Sequence, residues 1–193
     1  MSELLLRDQL GIIIKRDGMV SRDKSIILSG GGKSNIYYDM RKVLAQPYAL
    51  SIAAKLCTPV VRQYKANSVG GMESSAIGLA SAISLATNTN TKPRINWFYV
   101  RKSRREHGLE EMIEGSLIKP AVIVDDVLTT GKSIMSCIER IEEQGCSIAG
   151  VVVIIDRLNI CKGGSSDLQL MLRQKSIKFM SLFNETYFNA ESV

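Results

Sequence analysis

Residues 121–133 of the chain read AVIVDDVLTTGKS. Four apolar residues make a buried strand, and the strand ends in two adjacent carboxylates, Asp125 and Asp126. A turn of Thr129, Thr130, Gly131, Lys132 and Ser133 follows, with a helix starting near Ser133. Such a strand, turn and helix form an anion-binding device. Backbone N–H groups of the turn and of the helix N-terminus can wrap a phosphate, and the hydroxyls of Thr129, Thr130 and Ser133 add donors. Paired carboxylates would repel that phosphate, so they need a ligand of their own, which ribose hydroxyls or a hydrated Mg²⁺ would supply. The glycine spacing of a Walker P-loop, G-x-x-x-x-G-K-[ST], is missing. The plain alternative is an ordinary strand-to-helix turn with a solvated Asp pair.

A second segment, RKSRREHG over residues 101–108, directly follows the apolar stretch INWFYV. It predicts a cationic loop suited to closing over a pyrophosphate and stabilising the charge as that group departs. A solvated basic face or a nucleic-acid patch is the other reading of those charges. His107 is the only histidine, and its charged, glycine-flanked setting argues against a core role. Two further places carry polar chemistry. One is LSGGGKSNIYYDMR, residues 28–41, with Lys33, Tyr37 and Tyr38; the other is Arg157 behind the apolar run Val151–Ile155. A buried Arg at such a strand end can offer a bidentate fork to a carboxylate.

The elements that must position these groups follow from apolar spacing. Ser2 caps an opening amphipathic helix through Ile13–Ile14. Ile26–Leu28 and Ile36–Tyr38 read as short strands around the Gly30–Gly32 turn. Pro47 opens a helix to about Tyr64. Strands then fall at Ser68–Gly70, Ile95–Val100, Ala121–Val124 and Val151–Ile155, with helices at Ala76–Leu85 and Ser133–Gln144. Apolar strands alternating with helices predict an α/β fold with a parallel sheet covered on both faces. Residues 101–117 show scant periodicity and two glycines, and a loop that long in a compact domain is usually functional. Ile177–Phe183 is strand-like and is expected to finish the sheet or the N-terminal unit.

The bulk numbers bound the possibilities. The chain has 193 residues, 45% of them hydrophobic and 23% charged, with 25 Lys+Arg against 19 Asp+Glu for a net charge of +6. One domain with a sizeable core is expected, and disorder is excluded as the main state. The longest apolar run is far short of the roughly 20 residues of a membrane span. No leader-like segment follows Met1, and Cys57, Cys137, Cys146 and Cys161 form no C-x-x-C pair, so a cytoplasmic protein with reduced thiols is expected. Six cations and no acid occupy residues 92–105 (6 − 0 = +6), which equals the net charge of the whole chain. The excess is thus focused on and just before one loop, where a highly anionic ligand would need it.

Residues 121–133 resemble the phosphoribosyl pyrophosphate (PRPP) signature of the type I phosphoribosyltransferases. The resemblance implies that Asp125 and Asp126 hold the ribose 2- and 3-hydroxyls, while Thr129, Thr130, Gly131, Lys132 and Ser133 hold the 5-phosphate, with Val127 and Leu128 also in the PRPP-binding set. Residues 101–108 resemble the R-K-x-x-K-x-H-G loop of the orotate-using members. There Arg101, Lys102, Arg105 and His107 would act on PRPP and the leaving pyrophosphate, often in a neighbouring subunit's site; Lys102, Arg105, His107, Asp125 and Asp126 are the implied catalytic set. Residue 105 departs from the family lysine, and Arg differs from Lys in geometry and hydration. Residues 28–41 resemble the hood over the base, so Lys33, Tyr37 and Tyr38, with Thr129, would line orotate, and Arg157 would meet its carboxylate. Only the first half of the family's D-R-x-E stretch, Asp156 and Arg157, is present. Met72, Glu73, Ser74 and Ser75 stand at the pyrophosphate-binding turn, where Gly or Lys is usual in place of Ser74 and Ser75; the serine hydroxyls are expected to donate to phosphate.

The resemblance implies one phosphoribosyltransferase domain over 1–193, a parallel sheet flanked by helices with a long flexible catalytic loop. Its hood would be about 1–45 plus a C-terminal segment, and its core about 46–157. The implied reaction joins orotate to PRPP, giving orotidine 5-monophosphate and pyrophosphate in pyrimidine (UMP) biosynthesis. Mg²⁺ would be bound through PRPP and water, with no direct protein ligand. A homodimer with a shared catalytic loop is implied, and neither a nucleic-acid nor a membrane partner. Transfer to another base, or a PRPP-binding regulator without catalysis, are the competing readings.

Overall fold

The computed structural model describes residues 2–27, 33–88, 92–103, 111–157 and 165–189. Helix α1 (Glu3–Ile13) begins at Ser2, whose Oγ accepts the Leu5 N–H at 3.3 Å, and a wider turn (Ile14–Gly18) leads into strand β1 (Met19–Ile27). β1 pairs antiparallel with β2 (Lys33–Tyr38) as the expected hairpin, although β1 starts well before Ile26. The short helix α2 (Met40–Leu44) is capped by the Asp39 carboxylate, and α3 (Pro47–Gln63) starts at the proline.

The central sheet holds β3 (Ser68–Met72), β4 (Asn96–Val100), β5 (Ile113–Gly115), β6 (Ala121–Leu128), β7 (Ile148–Asp156) and β8 (Lys178–Asn184), in the order β5-β4-β3-β6-β7-β8. All its pairs are parallel except β4 with β5. Helix α4 (Ser75–Ala86) follows β3, α5 (Lys132–Glu143) follows β6, α6 (Ser165–Gln174) precedes β8, and α7 (Glu185–Asn189) ends the described chain. Alternate strand residues feed two cores. Val122, Val124, Val152 and Ile154 face α1, α3 and α4, whereas Ile123, Val151 and Val153 face α5 and α6, as a sheet covered on both sides requires. Among the described residues no helix is long and apolar enough to cross a membrane.

Three elements differ from expectation. β6 does not stop at Val124: its pairing with β7 continues through Asp125↔Val153 and Leu128↔Asp156, because main-chain hydrogen bonds are indifferent to the carboxylates that break the apolar pattern. β5 lies inside the stretch predicted as loop, and α6 was not expected. The tail supplies both anticipated parts. β8 completes the sheet, and Phe188 of α7 packs on Tyr38 of the hairpin with ring centroids 5.2 Å apart.

After β3 the chain moves outward to β4 and β5, then returns to lay β6 on the other side of β3. The β3/β6 pair is therefore the point where strand order reverses, and open α/β sheets bind ligands at the carboxyl ends of such a pair. Met72–Ser75 and Asp125–Ser133 occupy those two ends.

Candidate active site

At the end of β6 the chain wraps a cavity of about 110 Å³, lined by Asp125, Val127, Leu128 and the turn from Thr129 to Ser133. Gly131 sits at φ +79 as the cap of α5, a left-handed conformation that suits glycine. A Cβ there would also come within 2.7 Å of the buried Leu168 side chain. The turn thus exposes backbone N–H groups at the start of α5, where the helix dipole favours an anion. Thr130 is buried, whereas Lys132 and Ser133 are exposed.

Asp125 is only 8% exposed. Its Oδ1 accepts the Ser75 hydroxyl at 2.8 Å and the Asp126 backbone N–H at 3.0 Å. Burial, with the neighbouring Asp126 charge, pushes the Asp125 carboxyl up to about 7 against those two hydrogen bonds. Asp126 is half-buried and accepts the Val127 N–H at 2.7 Å. It lines a second cavity of about 210 Å³ with Ser74, Ser75, Gly78 and Arg41 of α2. Arg41 closes the hood-like motif of residues 28–41, and sequence reasoning gave it no role of its own.

The turn after β3 lies directly against β6. A Cβ on Gly71 would collide with the Val124 carbonyl oxygen, so only glycine lets the strands close here. The Glu73–Ser74 peptide is cis. Of the two serines expected to donate to phosphate, Ser75 gives its hydroxyl proton to Asp125 here.

The base of the cationic loop is held on several sides. Glu73 Oε1 accepts the Lys102 N–H at 2.7 Å, and the Arg101 N–H donates to the Met112 carbonyl at 2.8 Å. The Arg101 guanidinium lies 3.6 Å from Glu114 of β5, so in this structure it is directed at the edge strand. Arg140 of α5 donates to the main-chain carbonyls of Arg101 and Lys102. Glu114 and Arg140 both escaped sequence reasoning, since an exposed-face charge on a helix or short strand reads as solvated surface. Lys102 itself is exposed. Arg105 and His107 lie outside the described residues, as do the Gly30–Gly32 turn and the Lys33 side chain.

On the hood side, Tyr37 and Tyr38 face opposite sides of β2, as successive strand residues must. Tyr38 is 4% exposed, packed on Phe188 and stacked with Arg157, whose guanidinium carbon lies 5.0 Å from the ring. Of the two tyrosines expected to line the base, Tyr38 is thus buried between Phe188 and Arg157, and Tyr37, half-buried, accepts a hydrogen bond from Arg41 at 3.3 Å. Arg157 is 2% exposed, and its N–H donates to the Leu128 carbonyl at 2.9 Å. A surface salt bridge is therefore ruled out for it. The guanidinium is buried at the end of β7, one strand from the paired acids.

Among the described residues, no group of three or more His, Cys, Asp or Glu is placed to hold a metal ion. A separate cavity of about 590 Å³ lies between β5 and the end of α5 and includes none of the predicted site residues.

The phosphoribosyl transferase domain model matches residues 43–163, more than half of the chain. An orotate phosphoribosyltransferase of Pyrococcus horikoshii is 33% identical over 156 residues, covering 79% of this chain and 80% of its own. One from Aquifex aeolicus is 28% identical over 184 residues, covering 93% and 96%. The crystal structure of orotate phosphoribosyltransferase from Aeropyrum pernix superposes with a TM-score of 0.73 at 25% identity, covering 94% of this chain and 98% of that one.

Proposed function

This chain belongs to the phosphoribosyltransferase family, and from that premise we propose that it transfers 5-phosphoribosyl from PRPP to orotate, giving orotidine 5-monophosphate and pyrophosphate. The observation that carries the choice of base is Arg157, buried at the end of β7 with its backbone N–H on the carbonyl of Leu128 of the cradle and its guanidinium over the Tyr38 ring. A fixed fork with planar donors selects a carboxylated base over a neutral one. The orotate phosphoribosyltransferases among its relatives support the same reading.

In this reading the turn from Thr129 to Ser133 binds the 5-phosphate through N–H groups and hydroxyls, with Val127 and Leu128 shaping the cradle. Asp125 and Asp126 accept the ribose hydroxyls, and the Met72–Ser75 turn receives the pyrophosphate. Arg157 holds the orotate carboxylate, with Thr129, Tyr37 and Lys33 beside the ring. The chain aligns N1 of orotate against C1 of the ribose. The C1–O bond breaks with its electron pair leaving on pyrophosphate, the N1–C1 bond forms through an oxocarbenium-like transition state, and the N1 proton passes to the departing pyrophosphate. Arg101, Lys102, Arg105 and His107 neutralise the departing charge. Mg²⁺ bound on PRPP would supply further neutralisation of that charge, and the turn hydroxyls with the Asp125 and Asp126 carboxylates suit such an oxygen-rich complex.

The chain acts as a homodimer in this reading. Helix α4 carries no charged residue, and Gly78, Leu85 and Ala86 on it are exposed. Beside it Trp97, 36% exposed, stacks on Tyr99 at 6.4 Å. Exposed apolar side chains grouped in this way suit an interface, and a second subunit placed there would lie next to the root of the cationic loop.

The test is pyrophosphate release with orotate, uracil, adenine and hypoxanthine, each with and without Mg²⁺. Turnover confined to orotate and dependent on Mg²⁺ is expected. Turnover only with a neutral base would overturn the assignment.

A further inference from the structure

Ser75 stands where the family turn usually has Gly or Lys, and the structure gives it a partner 50 residues away. Its hydroxyl donates to Asp125 Oδ1 at 2.8 Å, and the Asp126 backbone N–H donates to the same oxygen at 3.0 Å. An ionised carboxylate has two oxygens with about four acceptor positions. Both donors engage Oδ1 and fix the carboxylate plane, with the Asp126 carboxyl against the same side chain. The contact exists because Gly71 carries no Cβ, since one would strike the Val124 carbonyl and the Ala76 side chain and push the turn away from β6. Ser75 is also the first residue of α4, so its position is set by a helix and not by a free loop.

We propose that Ser75 is a positioning residue that orients Asp125 for the ribose and thereby couples the pyrophosphate turn to the ribose-binding acids. This rests on the PRPP reading above but not on the identity of the base. Its consequence is a split between two halves of one ligand. Removing the hydroxyl weakens everything held through Asp125 and spares what the turn binds through its backbone. A serine that instead donated directly to pyrophosphate would give the opposite split.

The experiment is calorimetric binding of PRPP, ribose 5-phosphate and pyrophosphate, each with Mg²⁺, to the full chain and to Ser75→Ala, Ser75→Thr and Ser75→Gly. Ser75→Ala should weaken PRPP and ribose 5-phosphate by about tenfold, since a hydrogen bond to a charged group is worth at least that factor, while pyrophosphate stays within about twofold. Ser75→Thr keeps the hydroxyl and should stay within about threefold for all three ligands, because the donor is retained. In an Asp125→Ala background, which has no acceptor for the serine, the serine substitution should add little, as expected of two groups acting as one unit. If Ser75→Ala does not fold, Ser75→Gly carries the same comparison. Equal weakening of pyrophosphate and ribose 5-phosphate, or no change in either, would overturn the proposal. Because no base is present, failure of the orotate assignment shows only in turnover and is separate from failure here.

Discussion

Asp125→Asn tests whether the site is maintained against the stability of the fold. In the unfolded chain the carboxyl ionises near its ordinary 3.8, whereas in the folded protein burial and Asp126 push it up to about 7. Between those values the folded state binds the extra proton, so stability must fall as pH rises through that window and level off above about 7. Each pH unit is worth about 1.36 kcal/mol, which gives at most about 4 kcal/mol over the span. Asn is nearly isosteric and does not titrate. Its Oδ1 can keep the Ser75 and Asp126 donors, but its amide needs an acceptor that the carboxylate did not, and an unmet buried donor costs about 1–3 kcal/mol. The variant should therefore be about 2 kcal/mol less stable than the parent at pH 4, where only the amide cost remains, and about 2 kcal/mol more stable at pH 8, or about 4–8 °C in Tm either way for a chain of this size.

The assay is thermal unfolding of both proteins from pH 4 to 8.5, alongside turnover. Cys137 also feels the Asp125 charge, and burial pushes its thiol up to about 12, so it does not titrate in this window. Turnover should drop by a hundredfold or more in the variant, since about two charge-assisted hydrogen bonds to ribose are weakened. The parent's kcat/KM for PRPP should decline below about pH 7, where Asp125 holds its proton. Parallel stability curves for the two proteins, with the variant the less stable at pH 8, would refute the reasoning.

Gly131→Ala forces a non-glycine residue to φ +79 and a Cβ into Leu168; it should cost about 1–3 kcal/mol in unfolding free energy and raise KM for PRPP, measured by denaturant titration and kinetics. Arg157→Lys keeps the charge but loses the fork, so KM for orotate should rise by about tenfold or more with a smaller change in KM for PRPP; equal changes in both would remove Arg157 from the base. Arg140→Ala releases the Arg101 and Lys102 carbonyls; kcat should fall by about three- to tenfold, as for loss of one positioning contact, with faster tryptic cleavage in 101–105 and partial rescue by Arg140→Lys. Mixing Lys102→Ala with Asp125→Asn subunits should restore about a quarter of the parental turnover if loops are shared across a two-fold dimer, read after co-refolding; no recovery would argue for loops that serve their own subunit.

How much of this was legible in the sequence depends on how local each signal is. Strands β3, β4, β6 and β7 show as apolar runs, and α3 and α5 as spaced apolar positions, because burial acts on neighbouring residues. The anion cradle is equally local: Gly131, Thr129, Thr130 and Ser133 are contiguous, and backbone plus helix end suffice to define it. Pairing is not local. The extension of β6 past Val124 depends on β7 continuing alongside it, and β5, three residues long, is too short to show a period. α6 and α7 matter through Leu168 beneath Gly131 and Phe188 beneath Tyr38, contacts with no trace in their own segments.

The same distinction explains the residues whose partners only the structure shows. Ser74 and Ser75 read from sequence as a departure from a glycine-rich turn, and the natural inference was a donor to the ligand that such turns bind. Only the adjacency of β3 and β6 shows that Asp125 is within reach of Ser75. Arg140 similarly reads as a solvated helix charge until the Arg101 and Lys102 carbonyls are found against it. Type and spacing therefore locate the groups that meet a ligand through one contiguous segment. The groups that act by holding another segment become visible only when the strand order is known. In a sheet whose order reverses between β3 and β6, those two kinds of group meet at the same edge. A substitution that looks like decay in one loop has to be judged against the residue it faces on the other.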